Sequence, residues 1–306
     1  MPSASIILVT YNSSDFIGEC LSSLQKLTGI GDAEIIVWDN ASTDSTVKLI
    51  EKKFPKVTLH TSEKNLGFGA AVNKAANLAK GKYIILLNPD TQVSKNWLEP
   101  LLATFKLYKN VGAVNSKTKI VIDGKEYIQN AGNYVFYDAH SRDRGAVITK
   151  DRQQLYEEDS QYYNTPTEVD AFSGVSVAID RKLFLELGGF DEHMFMYYED
   201  TDFSLRLKKA GYSIWYQPKS ELKHIHSASS EEWSEFFVYH TELNRLLFLW
   251  KHFSFARVII EMGKYKASMF KQLLKLKRRG FTRFKVLLKL GINLPYLTLY
   301  RLRGDK

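Results

Sequence analysis

The stretch Tyr83-Ile84-Ile85-Leu86-Leu87-Asn88-Pro89-Asp90 decides the fold. Four consecutive large apolar side chains leave no polar face, so 82 to 87 reads as a strand covered on both sides, as in a mainly parallel sheet flanked by helices. Asn88-Pro89 ends the strand and leaves Asp90 at its carboxyl end, the edge where open α/β sheets bind ligands. Upstream, strands at 5 to 10, 33 to 38 and 57 to 61 alternate with helical patterns near 14 to 28, 42 to 53 and 68 to 79, as βαβ units require. Downstream, a helix at 94 to 109 and a strand at 111 to 116 continue the alternation. The polar, charged run 138 to 166 predicts a mobile excursion over one face. A strand at 174 to 180, a short helix at 181 to 187 and the Gly188-Gly189 turn follow. A helix opening near Glu199 and ending at Gly211, with short strands near 213 to 216 and 221 to 225, finishes the core. The remainder has a helical pattern. This organisation predicts an α/β domain over 1 to 232, in halves of about 1 to 116 and 117 to 232, and a helical region over 233 to 306.

The chain has 306 residues, 44% of them apolar, enough for a large core. A single cysteine, Cys20, cannot form an internal disulfide and fits a reducing compartment, most simply as a small buried apolar residue. Met1-Pro2-Ser3-Ala4 runs directly into the first strand without a basic, then apolar, leader, so a cytoplasmic location is expected. The net charge of +8 is uneven: residues 236 to 306 hold 16 Lys/Arg and 3 Asp/Glu, a local +13, leaving −5 on the rest. In that region Met269, Phe270, Leu273, Leu274 and Leu276 interleave with Lys271, Lys275, Lys277, Arg278 and Arg279, and a similar run spans 281 to 290. Such basic amphipathic helices either lie peripherally on an anionic membrane surface or pack on the core with a solvated charged face. No run of about 18 apolar residues exists, so a spanning helix is not expected. No recognised nucleic-acid module is present, so no nucleic-acid partner is expected.

Several polar groups terminate strands along one edge. Thr10-Tyr11-Asn12 follows the first strand and Trp38-Asp39-Asn40 the second. Tyr11 suits stacking on a nucleobase. Asp39 suits accepting a base imide N–H, or else is a turn residue before a helix start at Ser42/Thr43. Asn65-Leu66-Gly67-Phe68-Gly69 offers backbone N–H groups to a phosphate at a helix start, or is a tight turn. Gly67 to Val72 lacks the third small residue of a dinucleotide fingerprint and follows the third strand rather than the first, which weakens a hydride-transfer reading. Asp90 is read as a metal ligand, or else as a helix cap. Met196-Tyr197-Tyr198-Glu199-Asp200-Thr201-Asp202 places three carboxylates within four residues. They cannot share one helical face, so at least one is structural. His224 and His226 alternate on a strand, so only one faces the site. Two separated acidic sites suit a transfer in which one carboxylate holds a cation and another takes a proton.

Taken in order, these segments resemble the inverting glycosyltransferases of family 2, with the GT-A fold, and especially rhamnosyltransferase-like members. The resemblance covers residues 4 to 230. Beyond those above, its motifs are Asn65 to Asn73, Phe172-Ser173-Gly174, Gly188-Gly189-Phe190-Asp191-Glu192 and Phe195 to Asp202. It implies a Rossmann-like, mainly parallel sheet flanked by helices, followed here by the basic helical extension. It implies that Thr10, Tyr11 and Asp39 bind the nucleoside of a nucleotide diphosphate sugar, with Asn12, Asn65, Gly67, Asn73 and Asn88 nearby and Phe172, Ser173 and Gly174 facing the sugar. Asp90 and His224 would hold Mg²⁺ or Mn²⁺, His226 being less favoured. Asn88 stands where the family often has a first aspartate, leaving that task to Asp90. Asp200 occupies the catalytic-base position and Asp202 that of a supporting acid. The implied reaction moves a sugar, rhamnose from dTDP-rhamnose first, to a glycan or lipid-linked saccharide acceptor. A nucleotidyltransferase would need a Gly-rich, basic triphosphate site near the first strand, and Thr10 to Asp15 lacks one. The intact Asp90, Asp200 and His224 argue against a vestigial sugar-nucleotide or RNA-binding protein.

Overall fold

The computed structural model describes residues 2–28, 31–149, 154–225 and 234–302. In chain order its elements begin with β1 (Ala4–Thr10), α1 (Ile17–Gln25), β2 (Glu34–Asp39), α2 (Thr46–Lys53), β3 (Thr58–Thr61), α3 (Phe68–Leu78), β4 (Tyr83–Leu87), β5 (Thr91–Val93) and α4 (Leu98–Leu107). Then come β6 (Val111–Ile122), β7 (Lys125–Asn130), β8 (Asn133–Val135), β9 (Ser141–Asp143), β10 (Ala146–Ile148), β11 (Gln154–Glu158), a 3₁₀ turn (Gln161–Asn164), β12 (Thr167–Glu168) and β13 (Ser176–Asp180). The chain ends with α5 (Arg181–Glu186), α6 (Glu199–Lys209), β14 (Ser213–His224), α7 (Glu235–His252), α8 (Phe255–Leu273) and α9 (Arg278–Leu302).

All five residues of β4 are buried, as its sequence requires. It pairs in parallel with β1, and β1 with β2 and β2 with β3 in turn, while β13 lies antiparallel on its other side. Alternate side chains feed two cores. Ile84 and Leu86 join Ile7, Ile36 and α3 on one face, and Ile85 and Leu87 join Ile6, Leu8, α1 and α4 on the other. Helix α1 buries Ile17, Cys20, Leu21 and Leu24, a single stripe at helical spacing. Each such Leu or Ile contributes about 1.5–3 kcal/mol on full burial.

The far side of the sheet departs from expectation. The run at 138 to 166 is not an excursion: β11 pairs with β7 and β10 with β11, extending the sheet. Strands of three to five residues carry too little alternation to announce themselves. Likewise β6 runs on to Ile122, because its polar Lys117 is buried against Asp159 at 2.9 Å. The two short strands near 213 and 221 are one, β14, with its register against β6 shifting between Gln217 and Glu221. Pro218, lacking an N–H, interrupts the ladder there without ending the strand.

The chain divides into two compact units. The second comprises Val135–Ser141, Met196–Glu199 and Ala228–Lys306. Within it, Glu242 of α7 accepts hydrogen bonds from Arg279, Arg283 and the Tyr265 hydroxyl, each as short as 2.9 Å, tying α8 and α9 to α7. Burial alone would raise this carboxyl, but the two guanidiniums and the phenol outweigh it and hold it below the usual 4.5. Helix α9 buries Val286, Leu290 and Leu297 on one side and leaves Phe281, Phe284, Leu288, Ile292, Leu299 and Leu302 exposed on another. Among the described residues no helix is long and apolar enough to cross a membrane.

Candidate active site

The carboxyl ends of β1, β2 and β4 lie along one edge with the start of β13, as the parallel registers dictate. At β2, Asp39 is buried and accepts from the Ser42 N–H and the Thr10 hydroxyl, both at 2.8 Å, and from the Ser42 hydroxyl. It therefore does act as a turn residue, although α2 starts only at Thr46. A carboxylate accepts about four hydrogen bonds, so one direction remains for a ligand donor. Tyr11, on the neighbouring loop, is 51% exposed and presents an open ring. Asn12, in the left-handed region at φ 51°, accepts from the Thr43 N–H at 2.8 Å and its own N–H reaches Ser42, so it joins the two loops.

At β4, the Asn88 N–H donates to Val175 O at 2.9 Å, and Asp90 follows in the turn before β5. Helix α4 begins eight residues later, so Asp90 does not cap it. His224, at the end of β14, brings Nε2 to 2.9 Å from Asp90 Oδ1 while Nδ1 meets Gln129 Oε1 at 2.8 Å. Both side chains are buried, and Nε2 makes no well-directed hydrogen bond. If Nδ1–H donates to Gln129, the Nε2 lone pair faces a carboxylate oxygen. Two such donors are held as neighbouring ligands of an octahedral cation would be, since bonds of about 2.1 Å at right angles put ligands about 3 Å apart. The donor chemistry and spacing of the pair thus fit Mg²⁺ or Mn²⁺. No cluster of three or more acidic, His or Cys ligands occurs among the described residues. Cys20 lies behind this turn with Sγ 3.6 Å from Asn88 O, its thiol pushed up to about 12 by burial, which suits a structural role.

Asp200 opens α6. Its carboxylate accepts from the Gly174 N–H at 3.0 Å and the Thr201 N–H at 2.6 Å. Burial raises its pKa, against these donors, which lower it. Gly174 adjoins Val175, whose carbonyl accepts from the Asn88 N–H, so the segment that binds Asp200 also binds the strand end two residues before Asp90. Just ahead of Asp200, Tyr197 and Tyr198 both sit at positive φ, 72° and 70°. Such strain costs of order 1–3 kcal/mol per residue and persists where surroundings enforce it. The Asn244 amide donates to both Met196 O and Tyr197 O, at 2.9 and 2.8 Å, and the Tyr198 hydroxyl donates to Ala139 O.

Four of the residues or segments read as members of the site have structural partners of their own. The amides of Leu66, Gly67 and Phe68 are already bound to Asn40, Asn65 and Phe195 O, so the segment at Asn65 and Gly67 is a tight turn rather than a phosphate cradle. Gly67 is required there, at φ 84°, because a Cβ would lie 2.2 Å from Phe195 O. Asn73 binds the backbone of Phe190 in both directions and Glu192 besides, clamping that turn instead of meeting a donor. Phe172 is wholly buried among core aromatics including Phe203, so its ring cannot face a sugar. Asp202 is also wholly buried, 2.9 Å from Arg206, whose other nitrogens hold Leu187 O and Gly189 O, so the neighbours it orients are those of the Gly188-Gly189 turn. Ser173 donates its N–H to Asn115, and His226 lies outside the described residues.

A family model described as glycosyl transferase family 2 matches residues 5–184, more than half of the sequence. The chain belongs to that family. It is 29% identical over 257 residues to the N-acetylglucosaminyl-diphospho-decaprenol L-rhamnosyltransferase of Mycobacterium tuberculosis, covering 77% of this chain and 80% of the relative. Among solved structures, GalNAc-T7 with UDP, GalNAc and Mn²⁺ aligns with TM-score 0.60 at 19% identity, over 82% of this chain and 50% of that one. A mannosyltransferase from Pyrobaculum calidifontis with GDP-Man and Mn²⁺ aligns with TM-score 0.55 at 16% identity, over 99% of this chain and 84% of that one. These similarities establish the GT-A fold of this family 2 glycosyltransferase. Sequence reading missed its buried amides Asn115 and Asn130 and the half-buried Gln129. Only Asn115 left a signal, as a polar break in an apolar strand.

Proposed function

We propose that the chain transfers a sugar from a nucleoside diphosphate donor to a hydroxyl of a glycan or lipid-linked saccharide by direct displacement with inversion. The observation that carries this is Asp200 held on the Gly174–Val175–Asn88 segment that also leads to Asp90. Asp200 takes the acceptor hydroxyl proton as that oxygen bonds the anomeric carbon. The bond from that carbon to the diphosphate breaks on the opposite face, and its electron pair leaves with the diphosphate. Asp90 and His224 hold the divalent cation, which when bound stabilises charge growing on the departing diphosphate. Asp39, oriented by Thr10 and Ser42, accepts a base imide N–H, and Tyr11 stacks on the base. Ser173 and Gly174 border the donor sugar.

The similarity to a rhamnosyltransferase supports dTDP-rhamnose as first donor, with UDP-sugars next. A thermal-shift screen of nucleotide sugars with Mn²⁺ tests it, because a donor that binds the folded state raises the melting point. Proton NMR of the product anomeric centre then tests inversion. Absence of any nucleotide-sugar stabilisation would overturn the proposal.

The second unit supports a peripheral membrane role on an anionic leaflet. The exposed α9 residues 281, 284, 288, 292, 299 and 302 form one stripe at helical spacing, with Arg278, Lys285 and Lys289 along its border. The local charge of +13 repels a second copy and attracts acidic lipid. Leu288→Glu with Ile292→Glu should abolish co-sedimentation with phosphatidylserine vesicles; unchanged sedimentation rejects the assignment.

A further inference from the structure

We propose that a tyrosine-walled cavity on the far side of the sheet is a subsite for an acidic sugar of the acceptor, an assignment resting on the glycan-transfer reading above. The cavity has a volume of about 490 Å³, within the range of ligand sites, and is lined chiefly by Tyr134, Arg142, Arg144, Glu157, Tyr162 and Tyr163. Its wall is built rather than incidental. Arg144 is buried, with its guanidinium 5.1 Å from the Tyr162 ring centroid, 5.7 Å from that of Tyr163 and 5.6 Å from that of Tyr216. Its backbone is fixed to the end of β7 by bonds of 2.8 and 2.9 Å to Gly132 and Ala131. Gly145 next to it is at φ 113°, where a Cβ would sit 2.5 Å from Ile128.

The lining chemistry selects the ligand. Tyr162 is 61% exposed and offers a flat apolar face ringed by hydrogen-bonding groups, which suits a sugar ring better than an aliphatic chain. Arg142 and Arg144 against the single carboxylate of Glu157, which accepts from the Tyr163 hydroxyl at 2.6 Å, give the lining a positive balance that favours a carboxylate. The position selects the role. Gly145 of the cavity wall packs against Ile128 of strand β7, whose next residue, Gln129, is the His224 partner. From there Asn130 donates to Asp143 and accepts from Asn115, which in turn accepts the Ser173 N–H. In the strand order β11, β7, β6, β13, Glu157 on β11 stands three strand spacings from β13, about 14 Å at about 4.8 Å per strand, so an acceptor reaching both this cavity and the Ser173 loop holds more than one sugar.

The test is ligand-observed NMR titration of the donor-free chain with cellobiose and with its glucuronic-acid counterpart, cellobiuronic acid. The acidic disaccharide should bind at least tenfold more tightly, and Tyr162→Ala and Arg142→Ala, both at exposed side chains, should each weaken it at least fivefold. Asp200→Asn should bind it as the unaltered chain does. Equal binding of both sugars, equal binding to Tyr162→Ala, or no binding would overturn the subsite. Slow hydrolysis of nucleotide sugar without acceptor, unaffected by Tyr162→Ala, separates this outcome from failure of the transfer reading itself.

Discussion

Asp200 and Asp202 stand two residues apart, and the structure gives them opposite fates under the same substitution. In Asp202→Asn the shape is kept, but a wholly buried carboxylate paired with a largely buried Arg206 disappears. Breaking a buried pair costs about 3–5 kcal/mol. Arg206 keeps its two carbonyl acceptors, Leu187 and Gly189, which places the cost near the lower end, about 3 kcal/mol. At roughly 2–4 °C per kcal/mol for a chain of this order of size, the melting point should fall by roughly 6–12 °C. Turnover measured well below that melting point should stay within a few-fold of normal. In Asp200→Asn a desolvated charge is removed, so the melting point should hold or rise, while loss of the general base should cost about 10² to 10⁴ in kcat. Differential scanning fluorimetry beside initial rates on both variants is the assay. An Asp202→Asn protein that melts normally yet is inactive would refute the assignment of roles, as would an Asp200→Asn protein with ordinary turnover.

Three further outcomes follow from the geometry. Asp90→Ala and His224→Ala should each weaken Mn²⁺-dependent nucleotide binding while leaving metal-free binding unchanged, read by titration with and without the ion; equal loss in both conditions would remove them from the cation site. Because burial raises the Asp200 pKa, the acid limb of kcat/KM should lie above the ordinary aspartate value of about 3.9 and vanish in Asp200→Asn, as a pH–rate profile would show. The Glu242 carboxyl is held below 4.5, so its stabilisation of α7–α9 is complete above that value and is lost as pH falls through its folded pKa. Circular dichroism during acid titration should show a helical loss below about pH 4.5 that Glu242→Gln shifts toward neutral pH.

The sequence made the sheet's first half legible because strands such as β4 are uninterrupted apolar runs closed by turn residues, and a buried strand between two helical layers has few other solutions. It also showed that three carboxylates at 199, 200 and 202 could not share a face, which the separate partners of Asp200 and Asp202 bear out. Roles were harder to read than positions. Asn65, Asn73 and Phe172 belong to motifs that the family resemblance assigns to the donor. Yet a motif residue can equally be the fastening of a turn, and an Asn amide that binds Phe190 in both directions carries no mark of it in the sequence. The extension over β7, β10 and β11 was hidden for a related reason. Its stability comes from long-range pairing of polar groups, Lys117 with Asp159 and Asn115 with Asn130, and not from local periodicity.

The strained turn at Tyr197 and Tyr198 shows how the two kinds of information meet. Aromatic residues avoid positive φ, so a local reading expects extended or helical backbone there. The backbone is instead held by Asn244, some 47 residues away in sequence, whose amide spans two successive carbonyls that an ordinary turn would leave to water. A strained turn with an enforced conformation has less freedom than a relaxed one. The acid cluster at 199, 200 and 202 was visible in the sequence because it is chemically dense. The clasp of Asn244 on the turn before it was not, because its parts become neighbours only on folding.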